Sequence, residues 1–297
     1  MTPPPTPRRK GIRGDAAFAW LAVLPALAVI LCLMLYPIAY SFYLSFTKSD
    51  GITFDFIGLG NYVSLLRDED FWRVLLNNFL FLLAVPLILI ASLLCAVLMY
   101  EQVWGWKAFR IVFFVPSVIS TVVIGLLFRN FFAYDGPVNS LLERLGLAPV
   151  DWLGSGQTAI GVIILALVWS SFGYGMLILL AGMSSIDPHV FEAARLDGAS
   201  WFQRVRHITL PLIARPMRFL SVINVIYTFT SLFGFIFVMT SGGPGYETTT
   251  VDYFIYLKAF AGFDLGAGAA LAVLLFLIVM LLTFVQFRMF GADEGVA

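Results

Sequence analysis

The stretch EAARLDGASWFQRVRHITLP, residues 192–211, concentrates charged side chains in a chain that is 60% hydrophobic and only 12% charged. An Asp-Pro pair just upstream can start a helix, and Gly198 can end that helix in a left-handed conformation. Ser200 can cap a second helix, with Gln203 as the partner of a capping box. Pro211 is expected to break the second helix. The pattern predicts a compact, amphipathic helix–turn–helix between two apolar runs.

Long apolar segments lie on both sides of this stretch and recur along the chain. A bilayer core of about 30 Å requires roughly 20 apolar residues in a helix that rises about 1.5 Å per residue. Segments of this kind, free of Asp, Glu, Lys, Arg and His, lie at 16–38, 74–98, 111–128, 160–183, 219–239 and 267–287. Lipid cannot satisfy open backbone groups, and a membrane β-barrel would show short alternating segments instead. The sequence therefore predicts an all-α membrane protein with six transmembrane helices.

The distribution of Lys and Arg, which favour the cytoplasmic side of a membrane, predicts the orientation. Twelve of the 18 basic residues fall in the two terminal tails and in the second and fourth loops, and six fall in the other loops. Both termini and the fourth loop, 184–215, are therefore expected in the cytoplasm. We expect one membrane domain at 16–290, preceded by a disordered basic tail at 1–15 and followed by a short tail at 291–297.

Charge and residue usage argue against several classes of function. The net charge of zero offers no field to attract nucleic acid. Cys32 and Cys95 both lie inside predicted spans and are interpreted as small buried apolar residues. His207 has no second His, Cys or carboxylate at metal-ligand spacing, so no metal site is predicted. An ion-coupled secondary transporter or channel for a polar solute remains the alternative, although such carriers commonly hold ionisable groups in their spans.

Polar and aromatic side chains inside two spans are candidates for a solute path, since such groups usually face the bundle or a cavity. In the fifth span they recur on one helical face, and in the fourth they cluster. Aromatic rings can stack on a sugar while hydroxyl and amide groups hydrogen-bond to it. The alternative is that the hydroxyls only join helices. The candidates are Asn224, Tyr227, Thr228 and Ser231 in the fifth span, and Trp169, Ser170, Ser171 and Tyr174 in the fourth.

The opening stretch resembles the EAA motif of bacterial ABC-importer permeases. That motif consists of EAA, three residues, Gly, nine residues and I-x-L-P, and its counterparts here are Glu192, Ala193, Ala194, Gly198, Ile208, Leu210 and Pro211. Three further stretches are similar to permeases of the carbohydrate-uptake branch, and the third of them is most similar to the maltose- and glycerol-phosphate-transporter type, first subunit. They are FIGLGNYVSLLRDEDFWRVLLNN (56–78), FRIVFFVPSVISTVVIGLLFRNFF (109–132) and MTSGGPGYETTTVDYFIYLKAF (239–260).

The resemblance implies a type I ABC importer permease of the bacterial inner membrane whose EAA loop is a cytoplasmic coupling helix. Glu192 and Asp197 would then offer anionic contacts to a cytoplasmic ATPase, beside the smooth surface of Ala193 and Ala194. A hairpin that merely lies on lipid remains the competing interpretation. The implied partners are a second homologous permease subunit, a dimer of ATPase subunits, an extracytoplasmic solute-binding protein and the lipid bilayer.

ATP chemistry is expected on the partner, because this chain has no G-x-x-x-x-G-K-[ST] phosphate loop. ATP and Mg would bind the ATPase subunits, and this chain would be neither an enzyme nor the holder of a cofactor. The expected solute is a disaccharide, oligosaccharide, polyol or glycerol-phosphate ester. A strongly anionic solute would require a cation in the path, and the predicted spans contain none.

Overall fold

The computed structural model describes residues 12–291, so residues 1–11 and 292–297 of the two predicted tails lie outside the described part of the chain. A short π-helical segment, Leu31–Leu35, joins the first two helices. The helices of the first part of the chain are α1 Ile12–Ile30, α2 Tyr36–Leu44, α3 Gly60–Arg67, α4 Glu69–Phe81 and α5 Ala84–Tyr100. The next four are α6 Trp106–Phe114, α7 Thr121–Phe131, α8 Pro137–Arg144 and α9 Gly156–Met183.

The remaining helices include the opening stretch and the last two predicted spans. They are α10 Pro188–Leu196, α11 Trp201–Arg204, α12 Leu210–Leu212, α13 Ala214–Thr230, α14 Phe233–Met239, α15 Val251–Tyr256 and α16 Leu265–Gly291. Two further π-helical segments occur, Val205–Thr209 after α11 and Leu257–Ala261 after α15.

Four helical stretches of the described chain are long and apolar enough to cross a membrane, and the number rises to six if two bent pairs each count as one span. The predicted first, second, fourth and sixth spans correspond to Trp20–Leu44, Glu69–Tyr100, Gly156–Met183 and Leu265–Phe290. The all-helical class is confirmed. One small ribbon was not predicted, in which β1 Thr47–Ser49 pairs antiparallel with β2 Phe54–Phe56.

The predicted third span is bent by 101° between its two halves. A 3₁₀ segment, Val115–Val118, follows α6 and contains Pro116. The backbone then turns extended at Ile119, with ψ of 141°, before α7 begins. Proline lacks the amide that would continue an α-helical ladder, so the break has a local cause. The apolar composition predicted how long this segment is, but it did not predict the break in the helix.

The predicted fifth span is also interrupted, because α13 ends at Thr230 and α14 begins at Phe233. The Asp252 carboxylate lies at this interruption and accepts a hydrogen bond of 2.7 Å from the Phe233 amide. A carboxylate at the first turn satisfies an amide that has no partner within the helix. The interruption is therefore stabilised from α15, a neighbouring element.

The centre of the fold is the packing of α5 against α9. At their closest approach the Ser92 hydroxyl donates a hydrogen bond of 3.0 Å to the Phe172 carbonyl. A Cβ atom at Gly175 would lie 2.3 Å from the Ser92 oxygen, so only glycine permits this distance. The large side chains buried around these helices include Phe81, Ile88, Ile163, Leu167, Met176 and Phe235.

No residue of the first span, Trp20–Leu44, is buried within the described chain. Only its last part, α2, lies against another helix, where the rings of Phe42 and of Phe276 on α16 are 6.4 Å apart. Cys32 lies in the first span and is exposed, whereas Cys95 is half-buried. The interpretation of both thiols as buried is therefore wrong for Cys32, because a continuous apolar run does not show which helices have packing partners.

Candidate coupling hairpin and solute cleft

The fourth loop folds into a hairpin, residues 188–212, whose turn is set by local backbone rules. Gly198 has a φ of +77°, the left-handed conformation that its position predicted. The Ala199 amide reaches back to the Ala194 carbonyl at 2.9 Å, as in a Schellman motif. The predicted capping box at Ser200 is formed at the start of α11. The helix–turn–helix prediction is confirmed.

The first half of the EAA motif presents a mixed surface. Glu192, Ala193 and Asp197 are exposed, and Glu192 lies 3.2 Å from the His189 ring. Ala194 is buried, so the two alanines do not form one accessible smooth surface as the sequence predicted. Ala194 faces inward because it lies one helical turn after the buried Phe191. Only Ala193 is available to a partner.

The second half of the motif departs from the prediction at Pro211. Helical structure continues through this residue to Leu212, and the 74° bend follows at Ile213. Pro211 therefore lies inside a continuous helical stretch, because the Leu210 amide just before it still donates to the Val205 carbonyl of the preceding π-helical segment. Ile208 and Leu210 are half-buried, and Pro211 is exposed.

An apolar feature of the hairpin was missed. The side chain of Leu196, at the end of α10, is 90% exposed, and Phe202 on α11 is 63% exposed. Both lie beside the left-handed turn. Contiguous exposed apolar side chains indicate a surface that contacts a partner or a membrane, whereas single ones are common. The signal was present in the sequence, since Leu196 stands among charged neighbours.

A second feature is a cleft of about 270 Å³ between α9, α13 and the bent third span. Its lining is polar and aromatic as well as aliphatic. The lining residues are Pro116, Ser117, Ile119, Thr121, Ile124, Ser170, Ser171, Tyr174, Ile223, Asn224 and Tyr227. The structure therefore brings together five of the eight predicted path residues, Ser170, Ser171, Tyr174, Asn224 and Tyr227.

Close backbone contact fixes the α9 wall of this cleft. A Cβ atom at Gly173 would lie 1.9 Å from the Phe113 carbonyl oxygen, so glycine is required where α9 meets α6. One residue later, the Tyr174 amide donates a hydrogen bond of 3.1 Å to the Ser117 hydroxyl. The third span thus adds a wall that the sequence reasoning missed. Ser117 and Thr121, beside a helix-breaking proline, were the available signal.

Three predicted path residues do not line the cleft. Trp169 packs its ring against Phe128, with centroids 5.8 Å apart. Thr228 is buried and donates its hydroxyl to the Asn224 carbonyl at 2.8 Å. Ser231 lies at the interruption after α13, where the regular helical face on which it was placed has ended. The helical spacing of four polar residues therefore predicted a longer cleft-lining face on α13 than the structure has.

The chemistry of the cleft is that of hydrogen bonding without charge. Of the described residues that line it, none carries an acidic, basic or histidine side chain. Two tyrosine rings and the hydroxyl groups of serine and threonine offer stacking surfaces, donors and acceptors. The Asn224 side chain donates one N–H to the Leu220 carbonyl at 2.8 Å, and its amide oxygen and second N–H remain as acceptor and donor. In residues 12–291, no group of three or more His, Cys, Asp and Glu side chains is placed to hold a metal ion.

Comparison with known proteins decides the family. The model of the binding-protein-dependent transport system inner membrane component matches residues 57–291. The chain belongs to this family of ABC importer permeases. It is 34% identical to the sulfoquinovosyl glycerol transport system permease protein of Agrobacterium fabrum, over 95% of this chain and 92% of that protein. It is also 34% identical to the lactose transport system permease protein of Rhizobium radiobacter, over 90% and 92%.

A solved structure has the same fold. The crystal structure of a bacterial ABC transporter involved in the import of alginate contains a chain that superposes with a TM-score of 0.84 at 24% identity. The superposition covers 96% of this chain and 99% of the other. As an ABC importer permease, the chain is the multi-pass inner-membrane component of a complex with a periplasmic binding protein and ATPase subunits. It is the transmembrane subunit and not the catalytic one.

Proposed function

We propose that this permease moves a sugar or sugar-like solute from its binding protein into the cytoplasm. The observation that carries the proposal is the uncharged cleft, whose lining includes hydroxyl and amide groups and two tyrosine rings. Such a lining suits a disaccharide, an oligosaccharide or a polyol. A glycerol-phosphate ester fits less well, since a buried anion requires a paired cation. The name of one relative, the lactose permease, supports a neutral sugar as the solute.

The cleft lies on one side of this chain and is open, so it requires a second wall. We propose that a second homologous permease subunit supplies it. The exposed first span and the exposed apolar faces of the chain are consistent with burial against such a subunit as well as lipid. Both termini lie in the cytoplasm in this proposal, as the excess of basic residues in the corresponding loops predicts.

The hairpin 188–212 is proposed to contact one subunit of an ATPase dimer. Glu192 and Asp197 offer exposed carboxylates, and Leu196 offers an exposed apolar side chain beside the rigid Gly198 turn. A hairpin that lay on lipid would place basic residues on its polar face and apolar residues together on the other. Here the exposed leucine is flanked by Arg195 and Asp197, which suits a protein surface better than a bilayer.

The solute cleft is tested by measuring uptake in proteoliposomes that contain the assembled importer and its binding protein. Replacing a cleft side chain, as in Asn224→Leu or Tyr227→Ala, should reduce uptake roughly 5- to 150-fold, because a lost solute hydrogen bond costs about 1–3 kcal/mol. The complex should still assemble. Candidate solutes are first chosen by thermal-shift screening of the binding protein against sugars and glycerophosphodiesters.

Thr228→Val is the matched control. Thr228 follows Tyr227 directly on α13, but its hydroxyl is buried and bonded to the backbone, so valine fills the same volume without changing the cleft. Uptake by this variant should stay near the wild-type value. Normal uptake by both Asn224→Leu and Tyr227→Ala would place the α13 face against protein or lipid and would refute the proposed path.

A further inference from the structure

Glu101 joins the hairpin to the end of the second span. It follows α5 directly, and its carboxylate accepts a hydrogen bond of 3.1 Å from the Trp201 indole nitrogen. The Arg204 guanidinium donates to the other carboxylate oxygen at 3.4 Å. These contacts join residues that are about 100 positions apart in sequence, and they tie α11 to α5.

The arrangement differs from an ordinary surface ion pair. The side chain of Arg204 is 17% exposed and that of Glu101 is 27% exposed, so solvent screens the pair only in part. Arg204 also donates to the Ala199 carbonyl at 2.9 Å. Because Ala199 follows Gly198, one guanidinium connects the carboxylate of Glu101 to the turn of the hairpin. Charge-assisted hydrogen bonds of this kind fix geometry as well as contributing energy.

The helix that carries Glu101 also supports the cleft. Ser92 lies nine residues before Glu101 on α5, a distance of about 14 Å at the helical rise. Its hydroxyl donates to the Phe172 carbonyl of α9 at 3.0 Å. Phe172 lies between Ser171 and the pair Gly173–Tyr174, so α5 touches the segment of α9 that forms the wall of the cleft. A rigid α5 can therefore connect the hairpin with the cleft.

We propose that Glu101 is a positioning residue for energy coupling, which holds α11 and the Gly198 turn to α5 so that movement of the hairpin reaches the α9 wall. The inference rests on the proposed contact between the hairpin and the ATPase. A second attachment exists, since the rings of Tyr100 and Phe191 lie 5.3 Å apart between α5 and α10. That contact holds α10, and Val205, directly after α11, packs against the buried cluster that includes Val97 of α5 and Met183 of α9. Glu101 supplies the polar contacts of α11 itself. Loss of Glu101 should thus loosen α11 and the Gly198 turn without detaching α10 or Val205.

The test compares Glu101→Ala and Glu101→Gln with the wild type in the assembled importer, reconstituted with its binding protein. Two quantities are measured, basal ATP hydrolysis and the number of solute molecules imported per ATP hydrolysed. Glu101→Ala should keep basal hydrolysis and lower the import ratio roughly tenfold, the lower end for a hydrogen bond to a charged group. Glu101→Gln, which retains an acceptor of the same shape, should give an intermediate ratio.

Two comparisons separate positioning from a general structural defect. Glu143→Ala, the same substitution at an exposed site on α8, should leave the import ratio unchanged. Glu101→Ala combined with Arg204→Ala should lose less than the two single losses combined, because both changes remove the shared Glu101–Arg204 pair while each also removes one contact of its own, to Trp201 and to Ala199. Additive losses would indicate two independent defects and would overturn the proposal.

The other possible results also distinguish a positioning role of Glu101 from the alternatives. A wild-type import ratio in Glu101→Ala refutes the inference, and so does failure of the Glu101→Ala importer to assemble, which would assign the residue to folding. Failure of the proposed hairpin contact is distinguishable, since it would leave Glu192→Ala and Gly198→Val fully coupled. If those two variants are impaired while Glu101→Ala is normal, only the positioning role is lost.

Discussion

At the scale of single residues, glycine determines how closely the walls of the cleft approach each other. Gly173→Ala would place a methyl group where the structure leaves 1.9 Å to the Phe113 carbonyl oxygen. Because a carbonyl of the backbone cannot move aside as a flexible side chain can, we expect overpacking that costs about 1–3 kcal/mol. The thermal midpoint of the purified importer should fall, and uptake should fall with it.

Gly161→Ala is the matched control within the same helix. An added Cβ atom at Gly161 meets no other heavy atom within 4 Å. Alanine also has the higher helix propensity, by about 1 kcal/mol. This variant should be at least as stable as the wild type. Equal thermal midpoints for the Gly173 and Gly161 variants would mean that α6 and α9 do not touch as described.

At the scale of elements, the hairpin depends on one left-handed residue. Gly198→Val would force a β-branched side chain into that conformation at a cost of about 1–2 kcal/mol. No neighbour crowds a Cβ atom at this position, so the strain is in the backbone alone. We expect Gly198→Val and Glu192→Ala to lose solute-stimulated ATP hydrolysis while the permease still inserts. The combined variant should also co-purify less ATPase.

Gly146→Val imposes the same strain away from the hairpin. Gly146 follows α8, has a φ of +76° and likewise has nothing within 4 Å of an added Cβ atom. Its variant should keep solute-stimulated hydrolysis. Wild-type stimulation in both Gly198→Val and Glu192→Ala, with ATPase still bound, would instead support a hairpin that rests on the membrane surface.

The elements also show which features the sequence predicts well. The caps and turn of the hairpin were predictable because Gly198 and Ser200 act on their own backbone neighbours. The interruption of the fifth span was not, because Asp252 reaches Phe233 from 19 residues away. The same difference between local and long-range contacts explains which predicted path residues line the cleft. Asn224 and Tyr227 line the cleft as their helical face predicts, whereas Thr228 and Ser231 depend on where that helix packs and ends.

At the scale of the whole molecule, the distribution of basic residues predicts which loops face the cytoplasm. Ile52 is 86% exposed in the first loop and Leu147 is 55% exposed in the third. Trp104 is 94% exposed in the second loop and Leu196 is 90% exposed in the fourth. These four sites can be replaced singly by cysteine in a chain whose Cys32 and Cys95 have been changed to alanine.

An impermeant maleimide added to intact spheroplasts should label the cysteines at 52 and 147, and those at 104 and 196 only after the membrane is permeabilised. Twelve basic residues on one side against six on the other support this orientation. In permeabilised spheroplasts, labelling at 196 should be lower when the ATPase subunits are co-produced than when they are absent. The exposed Leu196 site then lies within the proposed contact. Labelling at 196 in intact spheroplasts would invert the orientation and would leave the hairpin on the wrong side of the membrane to meet an ATPase.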